Sequence, residues 1–255
     1  LIHPTIGYLK VAGFNPYQRK SDFLRKITLV MGQKQQLIWD LPPIDSLKVN
    51  AAIYGLTELQ AVNRINELAN MLELDHQLYR PVRKLSLGER MKAELLASLL
   101  HRPLVLFLDE PTLGLDINAQ IKVREFLSKY NTKYGATILL SSHYMADISS
   151  LCSRVLLINR GKIIHDGDFN RLIRTLSPFK QVNLELNNSF DFHQFHKYGE
   201  IVALADNRIT IFIKREKLTA YISEILNNNQ VIDLEVKDQP LEKLIGEFFL
   251  KSQTK

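Results

Sequence analysis

Apolar side chains recur at helical spacing in two stretches of the chain, and a capping signal precedes each stripe. Between residues 44 and 83 the signal is Thr57 with Gln60, and before the next stripe it is Ser86 with Glu89. Both pairs have the spacing of a capping box, in which two side chains satisfy N–H groups of the first helical turn. The pattern therefore predicts two capped amphipathic helices.

The segments after the second helix alternate between strand and helix. Residues 104–108 are apolar on both faces, which is typical of a central parallel strand covered by helices. Residues 117–134 have the pattern of an amphipathic helix, and residues 137–140 that of a second buried strand. Shorter strand-like runs occur earlier, at 8–11 and 27–30. This alternation predicts an α/β fold with a parallel sheet.

The pattern changes at about residue 177, and the α/β alternation stops there. We predict strands at 155–158 and 162–165 before this point and at 182–186, 201–204, 209–213 and 231–236 after it. A helical stripe spans 218–226, and Pro240 is predicted to open a final helix. We therefore expect an α/β domain over 1–176, with a helical subdomain at about 44–84, and an accessory, regulatory α+β domain over 177–255.

Composition sets only loose bounds on the class of protein. The 33 basic and 27 acidic residues give a formal charge of +6, which is compatible with nucleic acid or an anionic membrane surface but requires neither. Cys152 is the single cysteine, so no intramolecular disulfide can form and a reducing compartment is favoured. No apolar run is long enough to span a bilayer, so we expect another chain to do any spanning.

Polar side chains follow two neighbouring strands of the predicted sheet. Asp109 and Glu110 end the central strand, and His143 follows the next one. Because ligands of open α/β sheets lie at the carboxyl ends of the strands, these side chains are candidates for one site. Such an aspartate can hold Mg²⁺ through water, a glutamate can orient an attacking water, and a histidine can bond a terminal phosphate. Taken singly, a solvated turn and a surface histidine explain the same residues.

The start of the second capped helix is a candidate anion site. Its free N–H groups and the positive end of its dipole point outward, and Gly88 allows a ligand to approach closely. A well-capped helix with no ligand explains the same sequence, because the capping box of Ser86 and Glu89 is sufficient by itself.

Taken together, these motifs resemble those of the ATP-binding cassette (ABC) ATPases, which drive ABC transporters. The resemblance covers about residues 1–170, and its motifs occur in one order along the chain. They are Gln33 as the Q-loop glutamine, LSLGE at 85–89 as the signature, LVLFLD at 104–109 as the Walker B strand, Glu110 as the catalytic carboxylate, Asp116 as the D-loop aspartate and His143 as the switch histidine. Leu87 stands where the family more often has glycine. The stretches FLRKITLVMGQKQQLIWDLPPIDS and IYGL resemble the exporter-type branch.

The resemblance implies a P-loop NTPase-like core that uses ATP and Mg²⁺. Glu110 and His143 are then catalytic, and Asp109, with Gln33, holds the metal. Nucleotide contacts are assigned to Gln33, Ser86, Gly88, Glu89 and Asp116. The implied partners are a second ATPase subunit, in a homo- or heterodimer, and membrane-spanning permease subunits, with no nucleic acid. The implied location is cytoplasmic, peripheral on the inner face of the cell membrane.

The helical subdomain and the Q-loop are the parts that would pass motion to the permease. Trp39 and Leu41 are candidates for that contact by resemblance, although core packing explains both side chains as well.

One motif of the family does not occur in the sequence. No G-x-x-x-x-G-K-[ST] is present, and Gly161–Lys162 is followed by Ile163. In the family this loop lies just upstream of the segment that residues 1–13 resemble, and the chain starts without Met. We therefore expect that the chain begins immediately after the phosphate-loop helix and is inactive alone.

Two other classes of function compete with a transporter subunit. One is a non-transport ATPase of the same superfamily, acting in translation or on DNA. Such proteins carry a second cassette or long coiled coils, and the sequence has neither. The other is a non-catalytic fragment or binding module that lacks its phosphate loop.

Overall fold

The computed structural model describes residues 3–32, 36–187, 191–239, 244–246 and 248–249. The chain folds into two compact units, Leu1–Leu151 and Cys152–Lys255. In chain order the first unit contains α1 (Ser21–Leu24), β1 (Ile27–Met31), α2 (Pro43–Ile53), α3 (Glu58–Leu72), α4 (Leu87–Leu99), β2 (Val105–Asp109), α5 (Ile117–Tyr134), β3 (Thr137–Ser141) and α6 (Met145–Leu151).

The three strands of the first unit form a parallel sheet in the order β1-β2-β3, which confirms the predicted sheet and its central strand. The register aligns Met31 with Asp109 and Asp109 with Ser141. Consequently all three strands end at the same level, and the side chains that follow them gather at one edge.

One face of this sheet is covered and the other is largely open. Leu106 and Leu108 of β2 are buried on the covered side. Leu29, Phe107 and Leu139 occupy one row across the three strands, and Leu29 and Leu139 remain about half exposed. The prediction of a buried strand at 137–140 is therefore right about the strand and wrong about its burial, because apolar residues of β3 alternate between the two faces.

Helix formation in the first unit follows the capping signals of the sequence. Thr57 and Ser86 cap α3 and α4, and both capping boxes are complete. The apolar stripes of these helices pack together around Leu68, Leu95 and Leu96, which are almost fully buried. Burial of one such leucine contributes about 1.5–3 kcal/mol. Through α4, which also packs on β1, this core joins the helical segment to the sheet.

The second unit is built mainly from antiparallel strands. It contains β4 (Arg154–Asn159), β5 (Lys162–Asp168), α7 (Phe169–Leu176), β6 (Phe179–Leu186), β7 (Glu200–Ala205), β8 (Arg208–Lys214), α8 (Leu218–Asn228) and β9 (Val231–Asp238). β4 and β5 form a hairpin of their own, and the other strands form a sheet in the order β7-β8-β6-β9. Inward side chains of β6 and β8 pack on Ile225 of α8 in a separate core.

Several details differ from the sequence prediction. Residues 8–11 form no strand, because only an isolated bridge joins Val11 to Phe14. The short helices α1, α6 and α7 were not predicted, and Pro240 lies outside the described residues. The division between the units at Leu151 falls before the predicted boundary at 176, because β4 and β5 pair with each other and α7 packs on β5. The assignment of domains at 176 and 177 stays a prediction.

Candidate functional site

Asp109 and Ser141 lie side by side at the carboxyl ends of β2 and β3. The strand register pairs them, and the Ser141 hydroxyl donates to Asp109 Oδ1 at 2.6 Å. The carboxylate keeps its second oxygen for other ligands, while the serine fixes the orientation of the group. Ser141 was not among the candidate residues, although the predicted pairing of the two strands would have placed it beside Asp109.

Glu110 follows at once and adopts a left-handed backbone conformation, with φ of 50°. Its N–H donates to the carbonyl oxygen of Ser141 at 3.1 Å, which holds the bend in place. A residue other than glycine in the left-handed conformation destabilises the fold by about 1–3 kcal/mol, and such backbone strain concentrates at functional sites. The bend turns the Glu110 side chain toward the segment that follows β3.

His143 meets Glu110 directly. The His143 Nδ1 atom lies 2.7 Å from Glu110 Oε2, and the His143 backbone N–H donates to the same oxygen at 3.4 Å. The carboxyl group is the less exposed of the two, with 29% of its side chain accessible against 54% for the histidine. With Nδ1 engaged by the carboxylate, Nε2 is the ring nitrogen that a ligand can use. The structure thus brings together three predicted residues, Asp109, Glu110 and His143.

The segment after β1 passes very close to this cluster. The Gly32 N–H donates to the carbonyl oxygen of Asp109 at 3.0 Å, and a Cβ atom on Gly32 would lie 2.5 Å from the carbonyl oxygen of Glu110. Only glycine fits there. Gln33, the next residue and a predicted ligand, lies outside the described residues.

Glu94 of α4 fixes the backbone at Gln36 and Leu37. Its buried carboxylate accepts the backbone N–H groups of Gln36, at 3.0 Å, and Leu37, at 3.2 Å. Burial raises the pKa of the Glu94 carboxyl, and the two N–H groups oppose that shift. The segment on either side of 33–35 is therefore attached to β2 at one end and to α4 at the other.

The donor set fits a magnesium ion only if a nucleotide supplies most of the ligands. Within the residues that the structure describes, no group of three or more His, Cys, Asp or Glu side chains could hold a metal. Asp109 offers a carboxylate oxygen beside the Ser141 hydroxyl. Mg²⁺ in phosphate sites is commonly bound by one or two carboxylates together with phosphates and water, and Asp109 fits that type.

The predicted anion site at the start of α4 has a packing explanation for its glycine. The Ser86 hydroxyl accepts the N–H of Glu89, and the Glu89 carboxylate accepts the N–H of Ser86, whose bond lowers the pKa of that carboxyl. Gly88 is buried, and a Cβ atom there would lie 2.8 Å from Cβ of Ala119 on α5. Close packing of α4 on α5 thus requires this glycine, whereas the exposed side chain is that of Leu87.

Asp116 caps the helix against which Gly88 packs. Its Oδ1 atom accepts the N–H of Ala119 at 2.9 Å. Gly114 has a φ of 76°, and a Cβ atom there would lie 3.4 Å from Cδ2 of Leu87. The signature and D-loop residues therefore form a second group within the unit, at the starts of α4 and α5.

A buried polar network that sequence reasoning missed lies behind the first group. Its centre is Asp147 of α6, which is completely buried and accepts hydrogen bonds from Thr112, Ser142 and Arg124. The available signal was the position of Asp147, four residues after His143, on a helix too short to show in the hydrophobic pattern.

The side chains proposed to contact a permease are at the surface. Trp39 and Leu41 are 44% and 41% exposed, so core packing does not account for them. The Arg90 guanidinium of α4 lies 4.7 Å from the centre of the Trp39 ring, a cation–π distance. Among the helices of the described residues, none combines the length and apolar content needed to cross a bilayer.

Two family models match the chain. Residues 14–145 match the model described as "AAA domain, putative AbiEii toxin, Type IV TA system", and residues 178–237 match "EvrA-like ABC transporter, C-terminal domain".

Curated relatives cover both units. The chain is 27% identical over 258 residues to the bacitracin transport ATP-binding protein BcrA of Bacillus licheniformis, a match over 96% of this chain and 81% of the relative. It is 30% identical over 172 residues to the ABC transporter ATP-binding protein NatA of Bacillus subtilis (strain 168), over 68% of this chain and 70% of the relative.

Solved structures share the fold. One, described as the ATP binding subunit of an ABC transporter, superposes with a TM-score of 0.59 at 24% identity, over 68% of this chain and 72% of the other. Another, cbiO1 from Clostridium perfringens, described as part of the ABC transporter complex cbiONQ, gives 0.61 at 22% identity, over 69% and 74%.

Proposed function

This chain belongs to the family of ABC transporter ATP-binding proteins, and from that premise we propose that Asp109, Glu110 and His143 form its ATP-hydrolysis centre. The protein is the ATP-binding, ATP-hydrolysing type of subunit that couples nucleotide to transport by separate membrane-spanning subunits. The observation that supports the proposed centre is the direct contact of His143 with Glu110 beside the strand-end Asp109.

Within this centre, Glu110 acts as the base that orients and polarises the attacking water. Its carboxylate is held by His143 and by the bent backbone, so it approaches the reaction without further reorganisation. With Nδ1–H directed to Glu110, Nε2 of His143 donates to the γ-phosphate when the ring carries a proton on both nitrogens, and it then stabilises the negative charge there.

Asp109, with Gln33 as a second ligand, is the proposed holder of Mg²⁺. Bound with ATP, the ion would neutralise the negative charge that develops on the phosphates, and Asp109 and Gln33 would hold it. The Ser141 hydroxyl, which donates to Asp109 Oδ1, fixes the orientation of that carboxylate.

The signature residues at the start of α4 are proposed to contact ATP that is bound by a second copy of this chain or by a related subunit. Ser86 and Gly88, with Glu89 as the capping partner, present the start of α4 to the phosphates of the nucleotide bound by the other subunit. The first-turn N–H groups and the helix dipole favour a phosphate there. Asp116 would lie at the same dimer interface, at the start of α5. The resulting homo- or heterodimer would hold ATP between its subunits.

Trp39 and Leu41 are the proposed contacts to the permease, on the inner face of the cell membrane. Their exposure supports this role, and the link from Glu94 to Gln36 offers a route from α4 to that surface. The exporter-type assignment rests on the resemblance of residues 23–46 and 53–56. The match to BcrA over 96% of the chain favours transport over translation or DNA repair. The C-terminal domain is proposed to be accessory and regulatory.

The test requires a chain that can hold triphosphate. We define the loop-extended chain as residues 1–255 preceded by a segment that carries a phosphate-binding loop. In it, Glu110→Gln is expected to leave ATP binding intact and to lower turnover by about 10²–10⁴-fold, as loss of a positioned base does. Glu125→Gln, the same change on the exposed face of α5, should keep turnover. A Glu110→Gln variant that turns over ATP at the parent rate would remove Glu110 from the mechanism.

A further inference from the structure

Asp147 of α6 gathers three hydrogen-bond donors although it is completely buried. Its Oδ2 atom accepts from the Thr112 hydroxyl at 2.5 Å and from the Ser142 hydroxyl at 2.8 Å. Its Oδ1 atom accepts from Arg124 Nη1 of α5 at 2.8 Å. A buried carboxylate is tolerated only when it is paired and hydrogen-bonded, and this one meets both conditions.

Two of the three donors come from the segments that carry the proposed catalytic groups, and the third comes from a neighbouring helix. Thr112 is two residues after Glu110, and Ser142 immediately precedes His143. Arg124 belongs to α5, the helix that follows the turn after β2. One carboxylate therefore ties the turn after Glu110 to the segment of His143 and anchors both on a helix.

The Ser142 hydroxyl makes two hydrogen bonds. It donates to Asp147 and accepts the N–H of Tyr144 at 3.0 Å. The residues before and after His143 are thus fixed by one side chain, and the His143 N–H points to Glu110 Oε2 at 3.4 Å. With its backbone fixed in this way, the His143 ring presents Nδ1 to the Glu110 carboxylate at 2.7 Å.

We propose that Asp147 is a positioning residue that, through Ser142 and Thr112, holds His143 in the one orientation and tautomer in which Nδ1–H donates to Glu110. The Nε2 atom is then left free, and it can donate to the γ-phosphate once the ring takes up a second proton there. The catalytic meaning of this arrangement rests on the proposed function above, whereas the geometry concerns only residues of this chain. A merely structural role would anchor α6 and leave the histidine tautomer unchanged.

The first test needs no nucleotide. ¹⁵N NMR of the histidine rings in the 255-residue chain, at about pH 8.5 and therefore above the ordinary histidine pKa, reports which ring nitrogen carries the proton. We expect a single Nδ1–H tautomer for His143 and an averaged pair of resonances in Ser142→Ala and Asp147→Asn. Ser149→Ala is the matched control, because the exposed Ser149 hydroxyl on α6 bonds only within its own helix.

Ser142→Ala keeps the inference testable if Asp147→Asn does not fold, because it removes one hydroxyl and leaves Asp147 paired with Arg124 and Thr112. An unchanged Nδ1–H signal in a folded Ser142→Ala variant would overturn the inference. So would a parent chain in which His143 carries its proton on Nε2.

The second test uses the loop-extended chain. Misplacement of a catalytic group by about 1 Å can cost 10²-fold in rate, so Ser142→Ala is expected to lower kcat by about that factor with KM unchanged. A parallel change of KM and kcat, or no change, contradicts a positioning role. Absence of turnover in the unmutated loop-extended chain would count against the proposed function, and the NMR result would still decide the role of Asp147.

Discussion

Glu110 shows how far residue identity alone can be interpreted. Its acidic type and its place after an apolar strand predicted a role in water activation, and the structure adds two facts that the sequence could not contain. The backbone is in the left-handed region, and the side chain bonds His143, which is 33 residues away in the chain. Conformation and long-range partners depend on tertiary structure, which a local pattern does not encode.

Gly88 shows the opposite case. The sequence suggested that its missing side chain admits a ligand, and the structure gives an additional reason, contact with Ala119 of the neighbouring helix. A lone glycine in a helix is explained equally by a ligand and by a close helix crossing. Only the position of α5 separates the two explanations.

At the residue scale, His101 is expected to make the free energy of unfolding depend on pH. Its ring stacks on Tyr54 with centroids 3.7 Å apart, and Nε2 lies 3.3 Å from the carbonyl oxygen of Ile27. Nδ1 is buried and has no hydrogen-bond partner among the residues that the structure describes. Burial, with a smaller effect from the Arg64 charge, lowers the His101 pKa to about 4. The neutral ring is therefore the folded form.

The direction in which stability changes with pH follows from proton linkage. The unfolded chain, with an ordinary histidine pKa near 6.5, binds a proton at a higher pH than the folded chain. The stability that neutral His101 contributes is complete above about pH 6.5 and is lost as the pH falls to about 4, on the order of 2 kcal/mol. Urea unfolding of His101→Gln should show a flatter profile in this window. The surface variant His76→Gln should retain the parent profile, and an equal slope in the parent chain and His101→Gln would contradict the prediction.

At the scale of elements, the sequence predicted most helices and strands well because hydrophobic spacing and capping chemistry agree. Side chains cap the first turns of α3, α4 and α5, and the capping residues are Thr57, Ser86 and Asp116. The short helices α1, α6 and α7 were missed, since four to eight residues show too little periodicity. The prediction that β3 is buried was wrong, because an apolar run does not tell which face of a strand is covered.

The start of α4 makes an element-scale prediction. In a hydrolysis-deficient loop-extended chain carrying Glu110→Gln, Ser86→Arg should abolish ATP-driven dimerisation while nucleotide still binds the monomer. The arginine places a bulky side chain where a phosphate is expected and removes the cap, which alone costs about 0.5–2 kcal/mol. Light scattering with and without ATP measures the dimer.

Thr57→Arg is the matched control, because Thr57 caps α3 with the same capping box. It loses equivalent helix stability and should leave dimerisation unchanged. A full dimer in Ser86→Arg would mean that Ser86 is a helix cap and nothing more.

At the scale of the molecule, the order of motifs predicted the family, the alternation of strands and helices predicted the parallel sheet, and the loss of alternation predicted a second, strand-rich part. The structure divides the chain at Leu151, before the hairpin of β4 and β5, whereas the sequence pattern changes at about residue 177, so the boundary at 176 and 177 stays a prediction. Pairing partners of a strand depend on the whole sheet and not on the strand itself.

The most direct measurement compares ATP affinity and ATP turnover in residues 1–255 alone and in the loop-extended chain, side by side. Asp109 and Glu110 place carboxylates near a polyanion, and the 255 residues contain no G-x-x-x-x-G-K-[ST] loop to supply the opposing N–H groups and lysine. We expect weak or no ATP binding and no hydrolysis for the first protein, and both activities for the second. Full turnover by residues 1–255 alone would contradict it.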